Sequence, residues 1–365
     1  MQYQGEQADE RPIGEQVPDV RKIAVLRANA LGDFIFTLPA LEALRTAYPQ
    51  AEIVLLGKAW HKAFLQGRPS PIDRVVVVPC YGGVGEEPGI EQDQEEIERF
   101  FQEMEREQFD LAIQMHGGGR YSNVFLRRLG AHLTAGSQTP DALPLDRNLR
   151  YIYFQHEVIR YKEIASLVGA SNGLIEPRIT LTRADIDEGQ RVVPEGHEPL
   201  VVLHPGASDV GRRWPTEKFA RVGDALAAVG AKVVVTGTSE ERELVEAVVD
   251  QMEMPVIGLA GKLSLGGLAG LLARCRVVVS NDTGPRHLAA AVGAATVSIY
   301  WCINLVNASP LTRARHRPIT SWRLECPLCG RNRLQDKCEH NVSYVADVET
   351  SEVIEQALEL FRGSY

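Results

Sequence analysis

Short runs of β-branched and aliphatic residues recur along the chain with helical stretches between them, and the pattern occurs twice. The first series is KIAVLRA at 22–28, EIVLLG at 52–57, RVVVVP at 74–79 and LAIQM at 111–115. Between the first two runs, Leu38, Leu41, Ala43 and Leu44 fall at helical spacing. The second series is LVVLHPG at 200–206, KVVVTG at 232–237, VIGLAG at 256–261, VVVSN at 277–281 and TVSIYW at 296–301, with helices expected at 216–229, 239–251, 264–274 and 286–293. Continuous apolar strands separated by helices require a parallel sheet covered on both faces. Two such series in 365 residues predict two doubly wound α/β domains.

The expected divisions are a loose tail at 1–20, an N-terminal domain at 21–174, a C-terminal domain at 175–348 and a final amphipathic helix at 349–365. The stretch 137–195 reads as irregular, apart from a helix start at Thr182 with Asp185 three residues on. In doubly wound folds ligands bind at the C-terminal edges of the strands, so a cleft between the two domains is the expected site.

Composition removes several function classes. Lys and Arg total 39 against 48 Asp and Glu, a net charge of −9. Broad nucleic-acid binding needs a basic footprint, so none is expected. No apolar run reaches the ~18 residues of a membrane span. The start, MQYQGEQADERPIGEQ, lacks the basic-then-apolar order of a secretory signal, and a cytoplasmic location is expected. Residues 86–107 carry ten acids against Arg99 and Arg106, which reads as a solvated helix face. No phosphate-binding G-x-x-x-x-G-K-[ST] and no strand followed by G-x-G-x-x-G is present, against a P-loop NTPase or a redox Rossmann enzyme. Asp185-Ile186-Asp187 matches a loose metal-binding D-x-D but sits in a helix start.

Four turns after strands carry chemistry. In Arg27-Ala28-Asn29-Ala30-Leu31-Gly32-Asp33, Gly32 lets the backbone turn tightly and Asp33 opens a helix, either as a plain cap or as a proton acceptor at the cleft edge. In the second, Gly206, Ala207 and Ser208 offer free N–H groups to an anion, with Arg212 and Arg213 as bidentate partners. The third, Asp282-Thr283-Gly284-Pro285-Arg286-His287, begins a helix rich in small residues whose positive end suits a diphosphate. The fourth holds Glu240, an acid that fits ribose hydroxyls or merely the helix dipole.

These four turns, in this order, resemble glycosyltransferase family 9, the ADP-heptose:lipopolysaccharide heptosyltransferases. The carriers are LRANALGDFIFTLPALEALRTAYP, LHPGASDVGRRWPTEKFARV, VVVTGTSEERELVE and VVVSNDTGPRHLAAAVG. The resemblance implies a GT-B fold, with two Rossmann-like domains facing a cleft. It implies an inverting, metal-independent transfer of a heptose from an ADP-sugar to a saccharide or glycolipid hydroxyl, with no cofactor required. By that analogy Asp33 is the general base, and Gly206, Ala207, Ser208, Arg212, Glu240, Asp282, Thr283, Gly284 and His287 bind the donor. Arg212 stands where the family commonly has a lysine.

The acceptor, expected to be anionic, would meet Gly32, Lys58, Lys62, His116 and Arg120, with His61, Arg127 and Arg128 as further basic candidates. Peripheral contact with the inner membrane face is a further expectation. The alternatives are another nucleotide sugar with a non-lipopolysaccharide acceptor, or a non-catalytic nucleotide-sugar- or zinc-binding protein.

Cys80, Cys275 and Cys302 read as small buried hydrophobes. Cys326-x2-Cys329-x8-Cys338-x-His340 offers three thiolates and an imidazole to a structural zinc; reduced thiols are the matching alternative, and a disulfide is the less favoured third in a reducing compartment.

Overall fold

The computed structural model describes residues 14–336 and 338–363. The chain divides after Pro177 into two compact units. The expected boundary lay within three residues of this point.

Beside a short two-stranded sheet at Tyr81–Gly82 and Gly85–Glu86, the first unit has six main strands: β1 Lys22–Leu26, β2 Glu52–Gly57, β3 Arg74–Val77, β4 Leu111–Gln114, β5 Leu133–Gln138 and β6 Arg147–Arg150. They form one sheet in the order β3-β2-β1-β4-β5-β6. The second unit repeats that order with β7 Leu200–His204, β8 Lys232–Gly237, β9 Val256–Ala260, β10 Cys275–Asn281, β11 Ala295–Trp301 and β12 His316–Ser321, arranged β9-β8-β7-β10-β11-β12. All neighbours in both sheets run parallel. This is the doubly wound order in which the chain reverses direction beside the first strand, so the ends of β1/β4 and of β7/β10 are the switch points.

β5, β6 and β12 lie in segments that show no apolar run. β6 reads RNLR and lies at the sheet edge, where Arg147 replaces a hydrophobe: its buried guanidinium bonds the carbonyls of Leu167 (2.6 Å) and Glu15 (3.0 Å). The same region corrects the tail expected at 1–20. Residues 14–20 are tied down through the Gln16 side chain on the Ala47 carbonyl and Val17 N on Tyr48 Oη (3.0 Å). Residues 1–13 lie outside the described residues.

Local signals explain the helices. Asp93 caps the helix Gln94–Arg106 through the N–H groups of Glu95 and Glu96, and its acids stay outside while Ile97, Phe100, Phe101 and Met104 are buried. Thr182 and Asp185 form the expected reciprocal cap: Asp185 N donates to Thr182 Oγ1 (3.2 Å) and Thr182 N to Asp185 Oδ2 (2.7 Å). That capping role accounts for Asp185 in the D-x-D. Cys275 is buried as expected, Cys302 is half-buried, and Cys80 is exposed, against expectation.

The helices Arg183–Val192 and Leu265–Leu272 pack closely because their contact is made of glycine. A Cβ at Gly270 would lie 2.0 Å from the Asp185 carbonyl oxygen, and one at Gly189 would lie 2.8 Å from Leu271 N. Alanine normally gains ~1 kcal/mol over glycine inside a helix. Here the neighbour is backbone and cannot step aside. Gly270→Ala is therefore expected to destabilise the protein by about 1–3 kcal/mol, read as a lower urea midpoint. An unchanged or raised midpoint would show that the helices can separate without cost.

Candidate functional site

β1 ends at Leu26, and the chain then turns through Ala28–Ala30 into the helix Leu31–Ala47. Arg27 is buried beneath this turn. Its Nη1 donates to the Met115 carbonyl (2.7 Å), its Nε to the Asp33 carbonyl (3.1 Å), and its guanidinium lies 4.8 Å from the Tyr161 ring centroid. Its Nη2 pairs with Asp33 Oδ1 at 3.0 Å, while Asp33 Oδ2 accepts from Ala30 N at 3.3 Å. The Asp33 side chain is 39% exposed. Cap and proton acceptor are thus compatible: each oxygen has one partner, and the carboxylate is exposed enough for its remaining lone pairs to meet a hydroxyl. Gly32 is the second residue of the helix, not a tight turn before it.

The expected acceptor residues divide. A Cβ at Gly85 would lie 2.9 Å from the Ala28 carbonyl oxygen and 3.0 Å from Lys58 Cε, which places Lys58 beside the Arg27–Asp33 turn. Lys58 Nζ pairs with Glu86 at 3.1 Å. Lys62 is exposed on the helix Ala59–Leu65. Arg120 is exposed and pairs with Asp141 at 3.5 Å. Arg127 is held by the Pro144 carbonyl (3.0 Å), and Arg128 by Glu98 (2.6 Å) and the Phe101 ring.

His116 is buried, and its Nδ1 accepts from Ala28 N at 3.3 Å, so it braces the turn from beneath and is not an open ligand. His61 braces the other side, its Nδ1 accepting from Lys58 N at 2.9 Å. Burial first, then the charges of Arg27 and Lys58, push each of these imidazoles down to about 3. This sets a pH dependence. The unfolded chain takes up both protons as pH falls through about 6.5, while the folded protein takes up neither until about 3. Stability is therefore lost progressively as pH falls across that window. By pH 5 each histidine is expected to cost about 2 kcal/mol relative to pH 7. Urea unfolding at both pH values measures the loss, and His61→Gln should remove one share of it. The same pH slope in that variant would contradict the assignment.

In the second unit, β7 runs into Pro205–Asp209, a 3-10 turn at Val210–Arg212 and the helix Thr216–Ala227. β10 runs into Asp282 and the helix Gly284–Ala291. Asn281 binds the two turns together, its Nδ2 donating to the Pro205 carbonyl (2.8 Å) and its Oδ1 accepting from Trp214 N (3.0 Å). Arg212 Nη2 donates to Ser208 Oγ (3.0 Å) and Nη1 meets Asp282 Oδ2 (3.3 Å). The other oxygen, Oδ1, lies 3.4 Å from His287 Nε2, and Asn304 Nδ2 donates to Oδ2 at 2.9 Å. Burial alone would raise the Asp282 carboxyl, but His287, Arg212 and Arg286 outweigh it and hold it below its ordinary range.

Ser208, Arg212, Asp282 and His287 thus meet as expected, beside Gly206, Ala207, Thr283 and Gly284. Arg286 Nη1 bonds His287 Nδ1 at 2.9 Å. Because a guanidinium can only donate, His287 accepts at Nδ1 and presents Nε2–H to Asp282. The cluster carries two arginines against one aspartate and borders a helix N-terminus, a setting that suits a diphosphate.

Glu240 does not join this cluster. It is exposed and bonds Ser239 Oγ (3.1 Å). Its neighbour Glu241 turns inward: Oε2 accepts from Thr238 N (2.9 Å), and a Cβ at Gly206 would sit 2.1 Å from Oε1. Asn304 lies outside every sequence motif, whereas Glu241, Asn281 and Arg286 lie inside the motifs but have no role of their own assigned from sequence. Glu241 was signalled only as the second of two adjacent acids, and Arg286 as the one charge in a run of small residues.

Ligand atoms of Cys326, Cys329, Cys338 and His340 all lie within 4.8 Å of one another. Corners of a tetrahedron with ~2.3 Å metal–sulfur bonds are about 3.8 Å apart, so the set fits one ion after a small contraction. Burial works against a thiolate at Cys326, but the N–H groups of Cys329 and Leu328, with the other two thiols, bring it down to about 6. Gly330, at φ 70°, closes the turn by donating to the Cys326 carbonyl at 2.9 Å. The cysteines are free thiols.

Residues 97–326 match the family model described as glycosyltransferase family 9 (heptosyltransferase), a match that includes the second unit's cluster but not the Asp33 turn. The chain is 22% identical over 307 residues to the lipopolysaccharide core heptosyltransferase OpsX of Haemophilus influenzae, covering 82% of this chain and 84% of that protein. Among solved structures it resembles a glycosyl transferase family 9 protein from Veillonella parvula (TM-score 0.76, 23% identity, 94% and 97% of the two chains). It also resembles the ADP-heptose heptosyltransferase II of Escherichia coli (TM-score 0.72, 18% identity, 94% and 99%). A more distant fold match is the iron-containing, dodecameric glycosyltransferase TibC of enterotoxigenic Escherichia coli (TM-score 0.53, 13% identity, 96% and 78%).

Proposed function

The chain belongs to glycosyltransferase family 9, and from that premise we propose that it transfers a heptose from ADP-heptose to a hydroxyl of a lipopolysaccharide-core acceptor, with inversion at the anomeric carbon. The observation that carries this reading is the Ser208–Arg212–Asp282–His287 cluster at the switch point of the second sheet. With Arg286 bonded to His287 it carries two arginines against one aspartate, a fixed seat for a leaving diphosphate beside the N-terminus of a helix.

The chemistry then follows from the residues. The first unit takes the acceptor, and Asp33 accepts the proton of its hydroxyl as that oxygen attacks the anomeric carbon. Arg27 holds the carboxylate in place throughout. The bond from the anomeric carbon to the diphosphate oxygen breaks, and ADP leaves with its charge met by Arg212 and the start of the helix Gly284–Ala291. A single displacement inverts the anomeric centre. Glu241 takes the ribose role assigned from sequence to Glu240.

No metal ion takes part in this step. The prediction is that turnover persists in EDTA without added divalent ions, provided metal analysis shows the cysteine cluster still loaded. Loss of turnover under that condition would assign a metal to the chemistry. The site of action is the cytoplasm, at the inner membrane face where lipid-linked acceptors lie. Among the described residues no helix is long and apolar enough to cross a membrane.

The Cys326–Cys329–Cys338–His340 set holds one structural metal. Four protein ligands leave no open position for substrate. Zinc and iron both suit a sulfur-rich tetrahedral site, and elemental analysis of reduced protein should find about one of them per chain.

A further inference from the structure

The cysteine cluster is joined to the donor site by a short chain of contacts. Residues 322–349 lie between β12 and the final helix Thr350–Arg362, with no helix or strand among their described residues beyond an isolated bridge between Glu325 and Asn332. Trp322, Leu328 and Leu334 are exposed in this segment. The segment is anchored in the core of the second unit by Cys326, Tyr344, Val345 and Val348, and the loop between Cys326 and His340 is the part that the ligand set closes.

Two of its residues grip the turn that carries Arg212. Arg333 Nη2 pairs with Asp209 Oδ2 at 2.9 Å, and its guanidinium lies 4.9 Å from the Tyr344 ring centroid and 5.4 Å from that of Trp301. Tyr344 N donates to the Gly211 carbonyl at 2.8 Å. The packing there is tight: a Cβ at Gly211 would lie 2.3 Å from Arg333 Nη1 and 3.1 Å from the Tyr344 ring. Asp209 works on both sides, because its other oxygen, Oδ1, accepts from Gly211 N at 2.8 Å and so opens the 3-10 turn Val210–Arg212. On the metal side, Tyr344 Oη lies 3.6 Å from Cys338 Sγ, and Cys326 N donates to the Arg331 carbonyl two residues before Arg333.

We propose that the metal-bound cysteine knuckle is a clamp on the diphosphate seat: through Arg333 and Tyr344 it holds the Asp209–Arg212 turn, so that metal occupancy sets the affinity for ADP. This rests on the readings of the cluster as a metal site and of the second unit as the ADP-binding half. Losing the metal frees the loop between Cys326 and His340 and with it Arg333, while Tyr344 stays in the core; the turn relaxes on the Asp209 side, and Arg212 leaves its position between Ser208 and Asp282. By linkage, ADP in turn tightens metal binding.

The test is calorimetric titration of ADP into the full chain, metal-loaded and metal-stripped, with metal content and circular dichroism measured on the same samples. ADP should bind about tenfold more weakly to the stripped protein, within the usual range of coupling between sites. Arg333→Met cuts the link without touching a ligand. It should keep one metal per chain, weaken ADP binding by a similar factor, and add nothing further once the metal is removed. Arg333→Lys, which keeps a cation on Asp209, should recover part of the affinity. If stripping unfolds the protein, the loaded Arg333→Met variant decides alone.

Wild-type affinity in the stripped protein, or in loaded Arg333→Met, overturns the clamp while leaving both underlying readings intact. Reduced protein that carries no metal overturns the metal reading and the clamp with it. Loaded protein that does not bind ADP overturns the donor reading and the clamp with it.

Discussion

Asp33→Asn is expected to lower kcat by about a thousandfold while leaving ADP affinity unchanged. A positioned general base contributes roughly 10²–10⁴ in rate, and the amide keeps the size of the carboxylate without its capacity to take the proton. The cap survives, because an amide oxygen can still accept from Ala30 N. The pair with Arg27 is weakened, so the variant leaves a buried cation with less compensation. For that reason the melting midpoint and the ADP affinity must be measured with the rate. Arg27→Met is the companion variant: Asp33 keeps its carboxylate but loses its anchor, and kcat should fall by less than in Asp33→Asn. Transfer at the wild-type rate in folded Asp33→Asn would remove Asp33 from the chemistry.

Arg212→Ala is the second large effect. Charge grows on the diphosphate as its bond to the sugar breaks, so a cation held there stabilises the transition state more than the ground state. Removing one such donor typically lowers kcat by about 10²–10³, and the donor KM should rise as well. Arg212→Lys should restore part of the rate, because it returns the charge but not the two-pronged contact to Ser208 and Asp282. Asp282 also loses a partner in the alanine variant. Its remaining contacts to His287 and Asn304 predict a folded protein, which the melting midpoint checks. If alanine and lysine variants both turn over like wild type, Arg212 is a structural cap on Asp282 and nothing more.

What could be read from the sequence follows from which interactions are local. Seven of the nine apolar runs emerged as strands because a strand buried on both faces must be hydrophobic throughout, and the other two, β3 and β9, are half-buried edge strands that kept the same apolar pattern. β5, β6 and β12 escaped because LTAGSQ, RNLR and HRPITS carry few aliphatic residues. In β6 a buried arginine bonded to carbonyls does what an aliphatic side chain does elsewhere. The Asp33 turn and the Asp282–His287 run were legible because strand end, turn and helix start are contiguous in sequence. The choice between Glu240 and Glu241 was not, since it depends on which side chain the turn directs toward Gly206. His116 looked like a free ligand because its burial under Ala28 is set by β1 and β4 pairing across 88 positions. The contact between Asp209 and Arg333 spans 124 positions and has no local signature.

The most direct measurement is a competition. Wild-type protein is incubated with heptose-deficient lipopolysaccharide-core acceptors and equal amounts of ADP-heptose, a UDP-hexose and a GDP-hexose, and the products are weighed by mass spectrometry. The expected product is an acceptor that has gained one heptose, with ADP released in equal amount and no product in Asp33→Asn on the same timescale. An acceptor that gains a hexose instead, with ADP-heptose left intact, would contradict it.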